Sequence, residues 1–315
     1  MTITFTSGIS FSGGFTFTPP PPPSENTAAW FGGGQPSGGT STVQRITFAT
    51  DTDTASVRGP LSGSRAYFAA AGNFTDGWFV AGYTAGPVSI VSRITYATDT
   101  ATASVRGPLS LARYSLAAAG NTTDGWFGAG YNAGVRSTVD RITYATDTAT
   151  ASVRGPLSQA RNSLAAAGND TDGWFGGGAN PGPLSTVDRI TYATDTATAS
   201  VRGPLSSARF GLAAAGNTTD GWFGGGYAPN SPRSTVQRIT YATDTATASV
   251  RGPLSSARYA LAAAGNTTNG WFGGGAPGAL STVDRITYAT DTNTASVRGP
   301  LSGGRFYLAA AGGVQ

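Results

Sequence analysis

Residues 113–160 read RYSLAAAGNTTDGWFGAGYNAGVRSTVDRITYATDTATASVRGPLSQA, and residues 161–208 repeat them with few changes. Four markers carry the repeat along the chain. Tryptophan recurs at Trp30, Trp78, Trp126, Trp174, Trp222 and Trp271, a period of 48 with a single spacing of 49. An Arg shortly before AAAG recurs at Arg65, Arg113, Arg161, Arg209, Arg258 and Arg305. The segment R-I-T-[YF]-A-T-D-T begins at Arg45, Arg93, Arg141, Arg189, Arg238 and Arg285, and S-V-R-G-P-L carries Arg58, Arg106, Arg154, Arg202, Arg251 and Arg298. Short Thr-, Val-, Tyr- and Trp-rich stretches bounded by Gly, Asp and Pro read as β-strands. Within 113–160 four fit: a (113–121), b (125–130), c (137–146) and d (148–155). In c the alternation sets Val139, Arg141, Thr143 and Ala145 against Asp140, Ile142 and Tyr144. No stretch reads as a helix longer than 10 residues, because the alanines come in triplets closed by Gly.

A period near 48 with four strands matches one blade of a β-propeller. One small sheet cannot bury both of its faces, whereas a ring gives each sheet two neighbours and leaves no end unit. Strands at the hub crowd one another, so Ala-Ala-Ala-Gly suits them, and the b-strand Trp and Phe suit the wider space between blades. The expectation is an all-β, six-bladed β-propeller of four-stranded antiparallel blades. The first unit opens at segment b and the last stops after segment a, so strands b, c and d from 29–60 should pair with strand a from 305–312. Trp30, Phe31, Phe306, Ala309, Ala310 and Ala311 would carry that closure. The expected division is an arm at 1–18, a proline-rich spacer at 19–28 and the propeller at 29–315.

Composition excludes several chemistries. Cys and His are both absent, which removes disulfides, thiolate or imidazole metal sites, and His-dependent nucleophiles. All 20 basic residues are Arg, the acids are Asp apart from Glu25, and charged residues make up only 11% of the chain. That density is low for a nucleic-acid partner. No apolar run reaches the length of a membrane span, and residues 1–20 lack the charged start and apolar centre of a standard export signal. No cofactor is expected.

The order of features resembles kelch repeats: a strand ending in paired glycines (Gly176, Gly177), a variable loop (179–184), a strand carrying Tyr192, then a D-x-x-T turn (Asp195, Thr198) and a final strand. The resemblance spans 29–313 and implies a propeller. It departs where kelch units usually place a Trp after the turn, since 198–201 has none. Galactose-oxidase-like enzymes share that fold, but their copper site needs His and Cys. A second resemblance, to virion proteins of tailed phages such as those of marine cyanobacteria, rests on the near-identical Gly/Thr/Ser/Ala-rich repeats and on GISFSGGFTFTPPPPPS at 8–24. It implies a tail or capsid-decoration role, with other virion proteins as partners.

The leader places Phe5, Ile9, Phe11, Phe15 and Phe17 on one parity, followed by five prolines, Pro19 to Pro23. An apolar strand or hairpin held off a closed body by a stiff polyproline spacer reads as an attachment arm that adds a strand to a partner. Packing of the leader on the propeller itself is the other reading.

Two sets of positions vary between otherwise matching units: the b–c loops, with Tyr83, Tyr131, Tyr227, Arg136 and Arg233, and the position after the segment-a Arg, with Tyr114, Asn162, Phe210, Tyr259 and Phe306. Variable loops on a rigid ring are where binding groups sit, and these side chains suit host polysaccharide or a receptor. Drift in solvent-exposed turns gives the same pattern. The repeated Arg and Asp read as a lattice tying blades together, incomplete because Asp140 is matched only by Asp188 and Asp284; an anion-receptive ring of guanidinium groups around the channel is the alternative. The N-T-T-D segments read as turns before they read as glycosylation sites. The expected role is a non-enzymatic virion component that contacts the host surface. A polysaccharide-active enzyme or a cellular interaction scaffold are the alternatives.

Overall fold

The computed structural model describes residues 9–10, 16–17, 27–35 and 38–312. Six four-stranded antiparallel sheets form a ring. Blade 3 shows the pattern: strand a Ala117–Gly120, b Asp124–Gly128, c Val139–Thr143 and d Ser152–Arg154, hydrogen-bonded in the order a-b-c-d. Blades 2, 4, 5 and 6 repeat it over 69–106, 165–202, 213–251 and 262–298. Blade 1 is the split one. Strand a, Ala309–Ala311, pairs with Ala28–Gly32, which pairs with Val43–Thr47 and then Ser56–Arg58. Ala309, Ala310 and Ala311 stand opposite Gly32, Phe31 and Trp30. Closure is therefore by the expected strands, with strand b of the split blade starting at Ala28.

The strands are shorter than the sequence pattern suggests. Each c-strand ends at its Thr, and the Y/F-A-T that follows winds into one turn of 3-10 helix, as at Tyr144–Thr146. Strand c is also buried on both faces: Val139, Asp140 and Ile142 all lie inside. Simple in/out alternation fails there because each sheet is sandwiched between two others. Blade 2 departs from its siblings, with b lengthened to Asp76–Tyr83, c to Pro87–Thr95, and a bulge between Val80 and Gly82.

Strands a line the axis, neighbour against neighbour around the ring, and the channel wall is Ala and Gly. Between blades each Trp is held twice by the next blade. Trp126 stacks on Tyr192 with ring centroids 3.7 Å apart and donates its indole N–H to Asp195 at 2.9 Å. Asp195 also accepts from Arg141 at 3.1 Å and lies 3.4 Å from Nε of Arg154, both from the Trp126 blade. The same clasp occurs at all six junctions. Burial of each indole contributes roughly 2–3 kcal/mol, and Arg suits a carboxylate shared this way because its planar fork presents several donors at fixed angles.

The third Arg of each unit works inside its blade. Arg113 is fully buried, donating to Asp140 at 2.8 Å and to the Phe127 carbonyl at 2.9 Å. Arg161 and Arg258 find Asp188 and Asp284. Where the Asp is missing, neutral acceptors replace it: Ser92 Oγ for Arg65, the Gly225 and Thr235 carbonyls for Arg209, the Gly33 and Thr42 carbonyls for Arg305. All 18 repeated Arg are thus structural, and the guanidinium ring around the channel that the sequence left open is not formed. The N-x-T segments are turns whose Asn side chain binds them together; Asn121 Oδ1 accepts the N–H groups of Thr123 and Asp124.

In the leader, Ile9–Ser10 pairs antiparallel with Thr16–Phe17, placing Ile9 opposite Phe17. Phe5, Phe11, Phe15 and the proline run lie outside the described residues.

Candidate functional site

The b–c loops all leave from the ends of strands b, and each loop base bridges to the residue after the segment-a Arg. The pairs are Gln35 with Phe306, Ala66 with Tyr83, Tyr114 with Tyr131, Asn162 with Ala179, Phe210 with Tyr227 and Tyr259 with Ala276. The two variable sets of the sequence are therefore one surface, around the axis at one end of the ring.

Its aromatic residues fall into two arcs. In blades 1 to 3, Phe306 meets Tyr307, Tyr307 stacks on Tyr67 at 3.8 Å, Tyr67 meets Tyr83 and Tyr114 edge-on, and Tyr114 meets Tyr131 at 5.5 Å. In blades 5 and 6, Phe210 lies 5.5 Å from Tyr227, which meets Tyr259 edge-on at 5.2 Å. Blade 4, with Asn162 and Ala179, interrupts the two. These rings are half-buried, and Tyr83 is exposed. Burial raises the hydroxyl pKa of Tyr67, Tyr114 and Tyr307 above the ordinary 10.0, so all three stay neutral donors at physiological pH. Arg233 is exposed at the rim. Arg136 is engaged within its own loop, donating to the Asn132 carbonyl at 2.7 Å.

The carboxylates nearest this end, Asp140, Asp188 and Asp284, are wholly buried and paired with Arg113, Arg161 and Arg258. The six b–c loops and the six links from strand d to strand a contain no Asp or Glu. Among the described residues no group of three or more acidic, His or Cys side chains gathers to hold a metal.

Tyr67 and Tyr307 were not singled out by sequence reading. Their position, the second after the segment-a Arg, varies as freely as the first: Tyr67, Ser115, Ser163, Gly211, Ala260, Tyr307. All six adopt the left-handed conformation, with φ between 55° and 64°. Their backbones form a closed circle around the axis. Tyr67 N–H donates to the Tyr307 carbonyl, Ser115 to Tyr67, Ser163 to Ser115, Gly211 to Ser163, Ala260 to Gly211 and Tyr307 to Ala260, at 2.6–2.9 Å. One residue from each blade thereby narrows the channel at the aromatic end.

No family model matches this chain, and no curated protein matches it. Among solved structures, that titled "Structure of YjhT" is similar, with a TM-score of 0.66 at 11% identity over 80% of this chain and 88% of that one. At that identity the likeness speaks to the fold alone.

Proposed function

We propose that this chain is a non-enzymatic recognition component of a tailed-phage particle, holding a host surface glycan on its aromatic end and joined to other virion proteins by the N-terminal arm. The observation that carries the recognition role is the pair of aromatic arcs on an end whose loops and links carry no carboxylate. Aromatic rings give large, flat, amphipathic contact area with few rotatable bonds, so they bind at low entropic cost. Here the rings also brace one another on a closed ring of blades, and a preorganised surface loses less on binding. Sugar rings present one apolar face and a rim of hydroxyls, which suits Tyr rings with neutral hydroxyls among them. Hydrolysis of a glycoside needs two acids flanking the bond, and the loops and links here supply none, which favours binding over cleavage. The particle placement draws on the alternating apolar leader, its proline spacer and the resemblance of both to phage virion proteins.

Two experiments test this reading. A glycan array probed with the wild-type chain and with a copy whose six b–c loops are shortened should show binding by the first alone; equal binding by both removes the recognition surface. Purified particles from the native source, imaged with an antibody to the propeller, should carry the chain. Free protein in the cell and none on particles removes the virion role.

A further inference from the structure

We infer that the split blade carries a seat for a carboxylate from outside the ring, formed by Arg45 Nε and the Thr47 hydroxyl beside Ala28. The inference does not depend on the glycan-binding reading. The repeat supplies the argument. In blades 2 to 5 the c-strand Arg stands between two carboxylates. One is the clasp Asp of the next blade; the other is the first residue of its own strand b. Arg93, Arg141, Arg189 and Arg238 place Nε 3.4–3.6 Å from Oδ1 of Asp76, Asp124, Asp172 and Asp220. The Thr opposite that Asp in the ladder donates its hydroxyl to the same oxygen, at 2.5–2.6 Å.

The split blade keeps this ladder register, with Ala28 opposite Thr47, but alanine brings no acceptor. Arg45 holds its clasp Asp99 at 3.1 Å and shares it with Arg58, two guanidinium groups to one carboxylate. Its Nε is buried without a hydrogen-bond partner, and the Thr47 hydroxyl has none among the described residues. In blade 6 the same place is filled without charge, since Asn269 Oδ1 accepts from Thr287 at 2.8 Å. Blade 1 alone therefore aims a cationic donor and a hydroxyl at a point where four sibling blades hold a carboxylate oxygen. Charge-assisted bonds of that kind are the strong ones, and an unpaired buried donor is costly to leave. Solvent reaches the seat: Arg45 keeps 29% of its side chain in water and Thr47 is half-buried. Between blades 2 and 3 the corresponding region is a notch of about 500 Å³, with Asp76, Arg93 and Thr143 on its walls. The seat lies at the start of strand b, the end of the ring away from the b–c loops, where the chain passes into the leader. Two sources present a carboxylate there: an acidic side chain of a protein docked on that end, or Glu25, three positions before Ala28 and the only Glu in the chain.

The test follows the Arg45 Nε–H signal by NMR of the full chain, the signal being identified by its loss in Arg45→Lys. The probe is sodium acetate, compared with sodium chloride at equal ionic strength. Acetate should move the signal saturably and chloride should not. Thr47→Val should weaken the response roughly threefold or more, the worth of one hydrogen bond. Ala28→Asp places the chain's own carboxylate in the seat, as blades 2 to 5 do, and should abolish the response to acetate and raise the urea midpoint. Ala28→Asn copies blade 6 and serves as the blocking variant should the first fail to fold. A silent wild type beside a responsive Glu25→Gln upholds the seat and makes Glu25 its source; a responsive wild type leaves the seat to a carboxylate from another molecule. Silence in both, or a blocked variant that responds as the wild type does, overturns the inference.

Discussion

Trp271 donates its indole N–H to Asp51 at 2.8 Å, although 220 positions separate them in sequence. Five other Trp–Asp pairs of the same kind join residues 69 or 70 apart. The long pair is the short one repeated at the seam, where blade 6 meets the split blade. Fastening of the ring is therefore uniform, and the junction between blade 6 and the split blade is an ordinary one.

Removing the shared carboxylate should open that junction. Asp51→Ala leaves the Trp271 N–H, Arg285 and Arg298 without their acceptor. The two Arg side chains keep about a quarter and a fifth of their surface in water, so the loss falls below that of a wholly buried pair, about 2–4 kcal/mol. Urea titration should show a lower midpoint, and Asp147→Ala at an interior junction should match it within about 1 kcal/mol. A seam variant indistinguishable from wild type contradicts the clasp.

The stacking residue should tolerate loss of its hydroxyl. Tyr144 stacks on Trp78 with centroids 3.8 Å apart, and its buried hydroxyl has no hydrogen-bond partner. At the seam Phe48 already does the same work against Trp271 at 3.9 Å. Tyr144→Phe should change stability by no more than about 0.5 kcal/mol, whereas Tyr144→Ala should cost about 3–5 kcal/mol. Both are read by thermal and urea melts.

Two glycines should behave oppositely. A Cβ at Gly107 would lie 2.0 Å from the carbonyl oxygen of Ala149 in the next blade, while one at Gly86 meets nothing within 4 Å. Gly107→Ala must push two blades apart and should lower the melting temperature by many degrees. Gly86→Ala should leave it unchanged or raise it slightly, by the equivalent of about 0.4–1 kcal/mol.

Alkali should loosen the ring. Burial pushes the hydroxyls of Tyr144, Tyr192, Tyr241 and Tyr288 above their ordinary 10.0. Because the folded chain holds these protons more tightly than the unfolded one, their contribution is complete below pH 10 and is lost as pH rises further. Arg65, Arg113, Arg161, Arg209, Arg258 and Arg305 act the other way: burial lowers each below its ordinary value, Arg65 and Arg209 to about 10, so folding gains from them above that pH. Tyr67, Tyr96, Tyr114 and Tyr307 are raised as well, so eight tyrosines stand against six arginines, and the melting temperature should fall from pH 10 upward. Replacing Tyr144 and Tyr192 together by Phe should flatten the decline; an unchanged slope contradicts this assignment.

Much of the fold was legible because the sequence states it six times. The Trp, Ala-Ala-Ala-Gly and T-D-T markers gave blade count, strand order and closure without any helix or long loop to misplace. The 3-10 turn at Tyr144–Thr146 was hidden because Tyr and Thr there carry the same β-preference as the strand before them. Burial of Asp140 on a strand that also buries Val139 was hidden because period-2 reasoning assumes one wet face. The Trp–Asp clasp left a trace, a Trp and an Asp recurring in step, but nothing in one unit says that they meet across blades. At the aromatic end the variable positions were visible, and so was their placement at one end of the blades. Tyr67 and Tyr307 were missed because the left-handed backbone that turns them toward the axis leaves no mark when five of six positions are not glycine.

The ring closure itself is tested most directly by distance. Ala55 N–H meets the Pro300 carbonyl at 2.8 Å across the seam, just as Ala151 N–H meets Pro108 at 2.9 Å within the chain. Because the chain has no native Cys, spin labels can be placed at Thr54→Cys with Ser302→Cys, and at Thr150→Cys with Ser110→Cys as the reference, all four sites being exposed. Pulsed electron paramagnetic resonance should return the same short distance for both pairs. A short reference distance with a long one between positions 54 and 302 would mean an open spiral of blades, and with it neither the shared seam nor the single aromatic end would exist.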